Sequence, residues 1–381
     1  MYLAGCGING IVPESAYCDT LDLLVLYQNS KRHFLTALVG TVLKEAGAEL
    51  SKEWEQDIHK AVRKNALFDI ERAKLLSFME QNGIWYLPLK GIILKDYYPR
   101  VGMRQMSDND ILFDYSFCNE VQAYMVSEGY EAMSVGVGNH DVYKKEPIYN
   151  FELHRTLYSE FHQESWAVYY EKVKNRLVLN EGTFYGYRFT DEDFYVYLIT
   201  HAYKHYTGCG TGLRTLLDFY VYLKAKPSLD FSYIQNECEA LEIAEFEMQN
   251  RKLCRKVFDE NTFDGCDPLK GWEVLEHTLS KDEKEMLEYY LSSGVYGDAE
   301  RGMENKIKKF QKKSGSKSKL RYLWSRIIPE MVIMEQYYPF FYKHKLLLPV
   351  GWLYRLLRAV FLKSKRRKML KEISVVKNSL L

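Results

Sequence analysis

Three carboxylates are placed for metal-dependent chemistry. Asp108 and Asp110 are separated by one residue in the sequence Ser-Asp-Asn-Asp, so on a strand both side chains leave the same face of the sheet. Two carboxylates that close repel each other unless a cation neutralises them, and oxygen ligands favour Mg²⁺ or Mn²⁺ over zinc. Glu152 lies in the alternating sequence Phe-Glu-Leu-His, which predicts a third ligand on a neighbouring strand. We therefore predict that Asp108, Asp110 and Glu152 are metal ligands and catalytic residues.

Such a site suits a two-metal displacement on a triphosphate, for example a nucleoside triphosphate (NTP). In a two-metal displacement, one cation lowers the pKa of the attacking hydroxyl, and the other binds the triphosphate and stabilises the leaving pyrophosphate. We expect each aspartate to face a metal rather than a partner side chain, so that Asp108→Asn or Asp110→Asn leaves fold stability nearly unchanged. The alternative for an Asp-x-Asp pair is a solvated strand or turn that binds no metal.

Candidate nucleotide-binding residues flank these carboxylates in the sequence. In Lys90-Gly91 the glycine allows a phosphate to approach the backbone, the following helix offers free N–H groups, and Lys90 supplies a positive charge. The P-loop spacing G-x-x-x-x-G-K-[ST] is absent. Arg104 is suited to bidentate contact with a triphosphate, with a surface position as the alternative. Arg214 is a further candidate, although it lies four residues before Asp218, a spacing that predicts an ion pair along one helix.

Three histidines could either contact a nucleotide or have structural roles. His154 shares the predicted strand face of Glu152, where it can contact the phosphates or the acceptor, or be solvated. His201 and His205 have the spacing of a zinc-binding H-E-x-x-H sequence, but Ala202 stands where that sequence has glutamate. We therefore expect buried, hydrogen-bonded histidines or residues that face a nucleotide cleft, and His205 is a candidate nucleotide contact.

The elements that position these residues follow from hydrophobic periodicity. It predicts helices at 20–50, 52–82, 91–98 and 116–129, and strands at 84–89, 107–114 and, as a pair, within 141–158. A helix opened by a capping sequence at Thr190 carries His201 and His205, a break follows at 208–212, and further helices are predicted within 230–258 and 280–310. Residues 312–319 have the composition of a solvated linker.

This order predicts an α+β fold, with a small α/β unit and a mixed sheet embedded in a largely helical protein. Its 381 residues are enough for more than one domain. We predict N-terminal helices at 1–82, an α/β core at 83–158, a helical domain at 159–304 and a basic helical region at 305–381.

The motifs in their order resemble a known family, the uncharacterised bacterial nucleotidyltransferases of the DNA polymerase beta superfamily. The resemblance rests on Leu89-Lys90-Gly91, Tyr97-Tyr98-Pro99, Arg104, Asp108-x-Asp110, Glu152-Leu153-His154, His201, His205, Arg214, Asp218 and Arg321-Tyr322-Leu323-Trp324. It spans about residues 65–360. What it implies is a minimal nucleotidyltransferase α/β domain, an NTP bound with Mg²⁺, and transfer of a nucleoside monophosphate to an acceptor hydroxyl or phosphate.

Three features depart from the wider superfamily. Lys90-Gly91 stands where the superfamily has Gly-Ser, Asn109 replaces an apolar residue between the aspartates, and the third acid is a glutamate. Glutamate remains a good ligand for a hard cation. Asn109 is predicted on the core side of its strand, where an amide costs burial free energy. It is the main hint for the alternative hypothesis, a catalytically weakened nucleotide-binding or interaction protein.

Charge is distributed unevenly along the chain. Residues 305–381 contain 20 lysines and arginines against three glutamates, a net charge of +17, which leaves −16 for residues 1–304. The acidic catalytic part argues against a processive polymerase, since it would repel nucleic acid.

Pro349, Arg355 and Arg358 interrupt the leucine-rich stretch 346–362 before the length needed to span a membrane. With the basic residues 363–368, this stretch predicts contact with an anionic membrane surface or RNA; packing on the acidic remainder is the alternative.

The cysteines and the N-terminal residues favour one compartment. The seven cysteines are scattered, with no C-x-x-C pair, as in a protein with reduced thiols. Residues 1–10 lack the basic and apolar regions of a secretory signal. We expect a cytoplasmic protein, with the inner face of the membrane as a peripheral location.

Overall fold

The computed structural model describes residues 1–160, 162–259, 268–295, 297–315 and 318–379. Its first part is helical, with α1 (Tyr2–Asn9), α2 (Ser15–Cys18), α3 (Leu23–His33), α4 (Thr36–Glu45) and α5 (Lys52–Gln81). The predicted helix at 52–82 is confirmed, and Ser51 caps it by accepting a bond from the backbone N–H of Trp54. The single helix predicted at 20–50 is wrong. The chain breaks between α3 and α4 because Phe34 has a left-handed backbone, with φ of 61°.

A five-stranded mixed sheet follows. Its strands are β1 (Tyr86–Pro88), β2 (Asn109–Phe113), β3 (Glu131–Ser134), β4 (His140–Lys145) and β5 (Tyr149–His154), with α6 (Gly91–Leu94) after β1 and α7 (Cys118–Ser127) after β2. The spatial order is β1-β2-β5-β4-β3, and β2 runs parallel to β5 while the other neighbours are antiparallel. The predicted α+β class and mixed sheet are confirmed. The short β3 was not predicted.

Strand alternation divides this sheet into a core face and a polar face. Alternate residues of β2 and β5 are buried against α5 and α7, in a cluster that contains Ile111, Phe113, Phe151, Leu153, Phe68, Leu75, Met79, Val121 and Met125. The residues between them, Asp110 on β2 and Glu152 and His154 on β5, therefore leave the opposite face.

The rest of the chain is mostly helical. It contains α8 (Glu164–Glu171), a two-stranded sheet of β6 (Val178–Leu179) and β7 (Tyr187–Arg188), α9 (Asp191–Tyr206), α10 (Leu213–Ala225), α11 (Phe231–Ala240), α12 (Ala244–Phe258), α13 (Pro268–Thr278), α14 (Lys281–Ser293) and α15 (Ala299–Ser314). The predicted start of α9 is confirmed, because the Thr190 hydroxyl accepts a bond from the N–H of Asp193. The break at 208–212 separates α9 from α10.

One large core joins distant parts of the sequence. It includes Leu3 of α1, Leu38 of α4, Leu87 of β1, Ile199 of α9 and Leu253 of α12, all buried. Three of the four predicted regions thus contribute to the same core, and the sheet is fixed on one side by α5 and α7 and on the other by the helical part.

The basic C-terminal region consists of α16 (Lys319–Ile327), α17 (Met331–Tyr337), α18 (Pro339–Lys343), α19 (Leu348–Phe361) and α20 (Lys363–Ser379). Met303, Ile307, Tyr322, Val375 and Val376 form a small core that ties α15 and α16 to α20. The predicted linker at 312–319 is partly helical, since α15 continues to Ser314; residues 316 and 317 lie outside the described residues.

Two further findings concern the whole described chain. No described helix is long and apolar enough to cross a membrane. Six of the seven cysteines are free; Cys266 lies outside the described residues.

Candidate active site

The polar face of the sheet brings two of the predicted metal ligands side by side. In the parallel pairing of β2 with β5, Asp110 is the register partner of Glu152. Asp108 lies just before β2 rather than within it. Burial, and then the charge of Asp110, raise the pKa of Asp108, and the charges of Asp110 and Asp108 both raise the pKa of Glu152. The structure thus groups Asp108, Asp110 and Glu152 at one face.

Asp110 already has partners in the chain. Its Oδ1 atom lies 2.7 Å from Lys90 Nζ and 2.9 Å from His154 Nε2. Burial alone would raise the pKa of Asp110, but the Lys90 ammonium and the His154 ring hold it well below its usual value. The expectation that each aspartate faces only a metal is therefore wrong for Asp110, because this carboxylate neutralises a buried lysine.

The negative charges of Asp108 and Glu152 have weaker partners than the charge of Asp110. Burial, and then the charge of Asp110, raise the pKa of Asp108 to about 6, and its one hydrogen bond among the described residues is to Ser107 Oγ at 3.2 Å. Burial and the charge of Asp110 likewise raise the pKa of Glu152 to about 7. These two carboxylates resist ionisation together, and a bound cation would relieve that resistance.

Lys90 and Gly91 lie at the edge of this face. Lys90 is a non-glycine residue with φ of 48°, a sparsely populated conformation that costs free energy and is typical of functional sites. It directs Nζ to Asp110. At Gly91, an added Cβ would lie 2.4 Å from Arg104 Nη1 and 3.0 Å from Met106 Sδ. Close packing by Arg104 and Met106 is thus a structural reason for glycine at this position.

Arg104 forms an ion pair with a residue of the helical part. Its Nε and Nη2 atoms donate to the two carboxylate oxygens of Asp218 at 2.8 and 2.9 Å, and the Tyr98 hydroxyl donates to the same carboxylate at 2.8 Å. All three groups are buried. The ion pair predicted between Arg214 and Asp218 is wrong, since Asp218 binds Arg104 across the molecule.

Arg214 is instead directed toward the segment that leads to Asp108. Its Nη1 atom donates to the Gln105 carbonyl at 3.2 Å, and its guanidinium lies 5.2 Å from the centre of the Phe34 ring. Its positive charge lowers the pKa of Asp108 against the effect of burial. Next to this segment, Lys31, Lys60, Lys64, Asp57 and Gln105 are among the residues that line a cavity of about 230 Å³. Asp57 pairs there with Lys31 and Lys60.

Helix α9 forms a wall near the acidic face. Tyr197, His201, Lys204 and His205 are spaced to share one side of this helix, and the Nε2 atoms of His201 and His205 lie 3.1 Å apart. Burial and the charge of Lys90 lower the pKa of Lys204 to about 8, while Asp110 and Glu152 oppose that shift. The charges of Lys204, Lys90 and Asp110 act on His205, whose side chain is exposed, and its role as a nucleotide contact stays a prediction. Lys204 was not among the predicted site residues, although it lies three residues after His201.

His140 is a second residue that was missed. In the β4–β5 hairpin it is the register partner of His154, and its Nε2 atom lies 3.7 Å from Glu152 Oε2. Counting back from the turn after Lys145 would have placed His140 opposite His154, so the signal was present in the predicted pair of strands.

Asn109 lies on the core side, as predicted, and is fully buried. Its Oδ1 accepts a bond from Arg72 Nη1 at 3.0 Å, and its Nδ2 donates to the Phe68 carbonyl at 3.4 Å. The buried amide is therefore satisfied by α5. Its contacts lie on the face opposite to Asp110.

The donor groups fit a divalent cation. Within the described residues, Asp110 Oδ2 and Asp108 Oδ1 take part in no hydrogen bond or ion pair, so each aspartate offers an oxygen. His140, Glu152 and His154 form a further group whose donor atoms lie within 4.8 Å of one another. Carboxylate oxygens on neighbouring strands are ligands that suit Mg²⁺ or Mn²⁺.

Comparison with known proteins gives one match. The model of a family described as uncharacterised nucleotidyltransferase matches residues 19–259. This range begins before the resemblance seen in the sequence and ends before residues 321–324. No curated protein and no solved structure matches the chain.

Proposed function

Because the chain belongs to the uncharacterised nucleotidyltransferase family, we propose that it is a metal-dependent enzyme of the DNA polymerase beta superfamily. It transfers a nucleoside monophosphate from an NTP to an acceptor hydroxyl or phosphate. Residues 83–158 form the catalytic α/β core, and the helical part supplies the opposite wall of the cleft. The acceptor is a small molecule, a protein hydroxyl or an RNA end.

One observation supports this assignment above the others, namely the register of Asp110 with Glu152 on two parallel strands. With Asp108 beside them, three carboxylates meet at one face although two of them carry a pKa raised to about 6 and 7. Ionised Asp108 and Glu152 cost the fold stability rather than adding to it, so a role in cation binding accounts for these two acids beside Asp110.

The bound cations, Mg²⁺ or Mn²⁺, would lower the pKa of the acceptor hydroxyl and neutralise the triphosphate. Asp108 and Asp110 would hold the cation that accompanies the NTP, and Glu152 would complete the position next to the acceptor. Lys90 neutralises Asp110 in the free protein. The Lys90 ammonium lies where it could also contact phosphate oxygens of an NTP, with Lys204 and Arg214 as further cations near the acidic face.

The alternative hypothesis, a weakened nucleotide-binding protein, rested on Asn109. The Asn109 side chain is hydrogen-bonded to α5 and contributes nothing to the acidic face. The feature that favoured loss of activity is thus explained by packing.

The test uses the full-length protein with each of the four common NTPs and either Mg²⁺ or Mn²⁺, and measures pyrophosphate release with a cell extract as the source of acceptor. We expect release with at least one NTP, dependent on the cation and lost in Asp108→Asn. Asp96→Asn, an exposed aspartate in the same part of the chain, is the matched control and should release pyrophosphate at the parent rate. Cation-independent release, or equal release by both variants, would contradict the proposal.

A further inference from the structure

His140 and His154 add nitrogen donors to the acidic face. They are register partners on β4 and β5, and one ring nitrogen of each lies within 4.8 Å of a carboxylate oxygen of Glu152. His140 Nε2 and Glu152 Oε2 are 3.7 Å apart, which is close to the separation of neighbouring donor atoms around a cation with ligands at about 2.1 to 2.3 Å. Neither histidine is required for a site made only of carboxylates.

The contact between His154 and Asp110 engages only one of the two ring nitrogens of His154. Its Nε2 atom contacts Asp110 Oδ1 at 2.9 Å, and a ring N–H that donates to a carboxylate fixes the opposite nitrogen as an acceptor. That nitrogen, Nδ1, is buried and has no hydrogen-bond partner in the described part of the chain. His140 presents its Nε2 atom to Glu152, at 3.7 Å from Oε2. Buried acceptors without partners are uncommon, and the arrangement of carboxylate, histidine and metal is a recurrent one.

Building on the proposed function, we propose that the cation next to Glu152 is held by a mixed ligand set in which His140 and His154 join Glu152. Imidazole nitrogen suits Mn²⁺ and other transition metals, whereas Mg²⁺ prefers oxygen ligands. The site therefore binds Mn²⁺ in preference to Mg²⁺.

Electron spin echo spectroscopy of Mn²⁺ on the full-length protein tests this ligand set, because a directly bound imidazole gives a ¹⁴N modulation. We expect the modulation in the parent and a weaker one in His140→Gln, together with a roughly tenfold loss of Mn²⁺ affinity. The exposed His59 provides the control variant His59→Gln, which should match the parent. Protein-bound Mn²⁺ without nitrogen coupling overturns the mixed set and leaves the carboxylate site intact. Absence of any bound Mn²⁺, with or without NTP, overturns the proposed function as well.

An independent feature is the surface of the basic C-terminal helices. Helices α17, α18, α19 and α20 pack in sequence, with Gly351 of α19 enclosed by Phe341 and Met334. Large apolar side chains nevertheless remain exposed on these helices and on α16, including Leu320 and Trp324 of α16, Phe340, Leu346 and Phe361, which are 60 to 96% exposed. Leu353, Tyr354, Leu357 and Val360 of α19 are also exposed. Such a concentration marks an interaction surface.

The positive charge of this surface indicates a partner of negative charge. Lys343, Lys345, Lys363, Arg366 and Arg367 are exposed beside these apolar side chains. Of the three glutamates in residues 305–381, Glu372 is taken up by Tyr322 and Arg326. A helix of 14 residues such as α19 is shorter than a membrane span and suits a position in the plane of the interface.

We infer that the C-terminal helices dock on an anionic lipid bilayer, with the apolar side chains inserted among the lipids and the lysines and arginines at the headgroups. Apolar insertion together with basic contact is the combination that gives stable interfacial binding. RNA would use the cations but has no place for the row of exposed leucine and phenylalanine side chains.

Co-sedimentation of the full-length protein with vesicles tests this surface. We expect binding to phosphatidylglycerol–phosphatidylcholine vesicles and not to phosphatidylcholine alone, and a roughly tenfold or greater loss of binding in Leu346→Asp/Phe361→Asp. Phe184→Asp, at a side chain that is 83% exposed elsewhere, is the matched control and should bind as the parent does. Equal binding to neutral vesicles, unchanged binding of the double variant, or displacement of the protein from vesicles by homopolymeric RNA would each overturn the inference.

Discussion

At the scale of single residues, the Lys90–Asp110 ion pair neutralises the Asp110 carboxylate when no cation is bound. Both side chains are largely buried, with 16 and 4% of their surfaces exposed, and His154 shares the same carboxylate oxygen. The lysine thus takes the place of a cation at Asp110, which keeps the carboxylate ionised and the face preorganised.

This pair predicts different consequences for the two aspartates. In metal-free buffer, Asp110→Asn should lower the free energy of unfolding by about 3 to 5 kcal/mol, because it leaves a buried ammonium without a counter-charge. Asp108→Asn should cost much less, since Asp108 has only a bond to Ser107. Urea unfolding of both variants measures the difference. Equal losses would show that Lys90 does not depend on Asp110, and Lys90→Met/Asp110→Asn should recover part of the loss.

The raised pKa values of Asp108 and Glu152, about 6 and 7, predict a pH dependence of stability. The folded protein binds protons more tightly at these carboxylates than the unfolded chain does, so the metal-free protein loses stability as pH rises from about 4 to 7. Glu152→Gln should flatten this decline and be more stable than the parent at neutral pH. Melting temperatures measured from pH 5 to 8 with a chelator test this. Parallel curves for parent and variant would contradict it.

At the scale of elements, strand alternation explains why the acidic face could be anticipated. The period of two is a local property, so the sequence was sufficient to place Asp110 and Glu152 on one face and Asn109 on the other. The partners of those residues were not predictable in the same way. Arg72 reaches Asn109 from α5, and His140 becomes visible only when the β4–β5 hairpin is counted back from its turn.

The alternation also predicts the effect of changing Asn109. Asn109→Leu should cost about 1 to 3 kcal/mol of stability, because Arg72 and the Phe68 carbonyl lose a buried partner. Pyrophosphate release by the folded fraction should remain near that of the parent, since the side chain faces away from Asp110. Urea unfolding and the release assay together decide this. Loss of turnover without loss of stability would mean that Asn109 acts on the acidic face.

At the scale of the whole molecule, the segment before β2 is held by distant helices. Arg104 binds Asp218, 114 residues away in sequence, and the Gln105 side chain accepts a bond from Thr36 of α4 at 2.9 Å. Asn9 of α1 donates to the Phe258 carbonyl, 249 residues away. Periodicity carries no information about such contacts, which is why the partners of Arg104 and Asp218 and the shared core could not be predicted from the sequence.

The buried Arg104–Asp218 pair predicts a structural role for this arginine. Arg104→Lys should lower the free energy of unfolding by about 3 to 5 kcal/mol, because a lysine cannot make both bonds to the carboxylate. Arg100→Lys, at a mostly exposed arginine that is paired with Glu45, should change it by less than about 1 kcal/mol. Chemical unfolding of both variants provides the comparison. A stable Arg104→Lys protein with weakened NTP binding would instead place Arg104 at the triphosphate.

The most direct test of the account is the separation of binding from turnover in Glu152→Gln. Its glutamine preserves the shape of the side chain and removes the charge next to the acceptor, whereas Asp108 and Asp110 still bind the cation that accompanies the NTP. Calorimetric titration should therefore give NTP affinity close to that of the parent in the presence of Mg²⁺ or Mn²⁺, while pyrophosphate release falls by orders of magnitude. Near-normal release with binding intact would contradict the account, because the third catalytic carboxylate would then lie elsewhere.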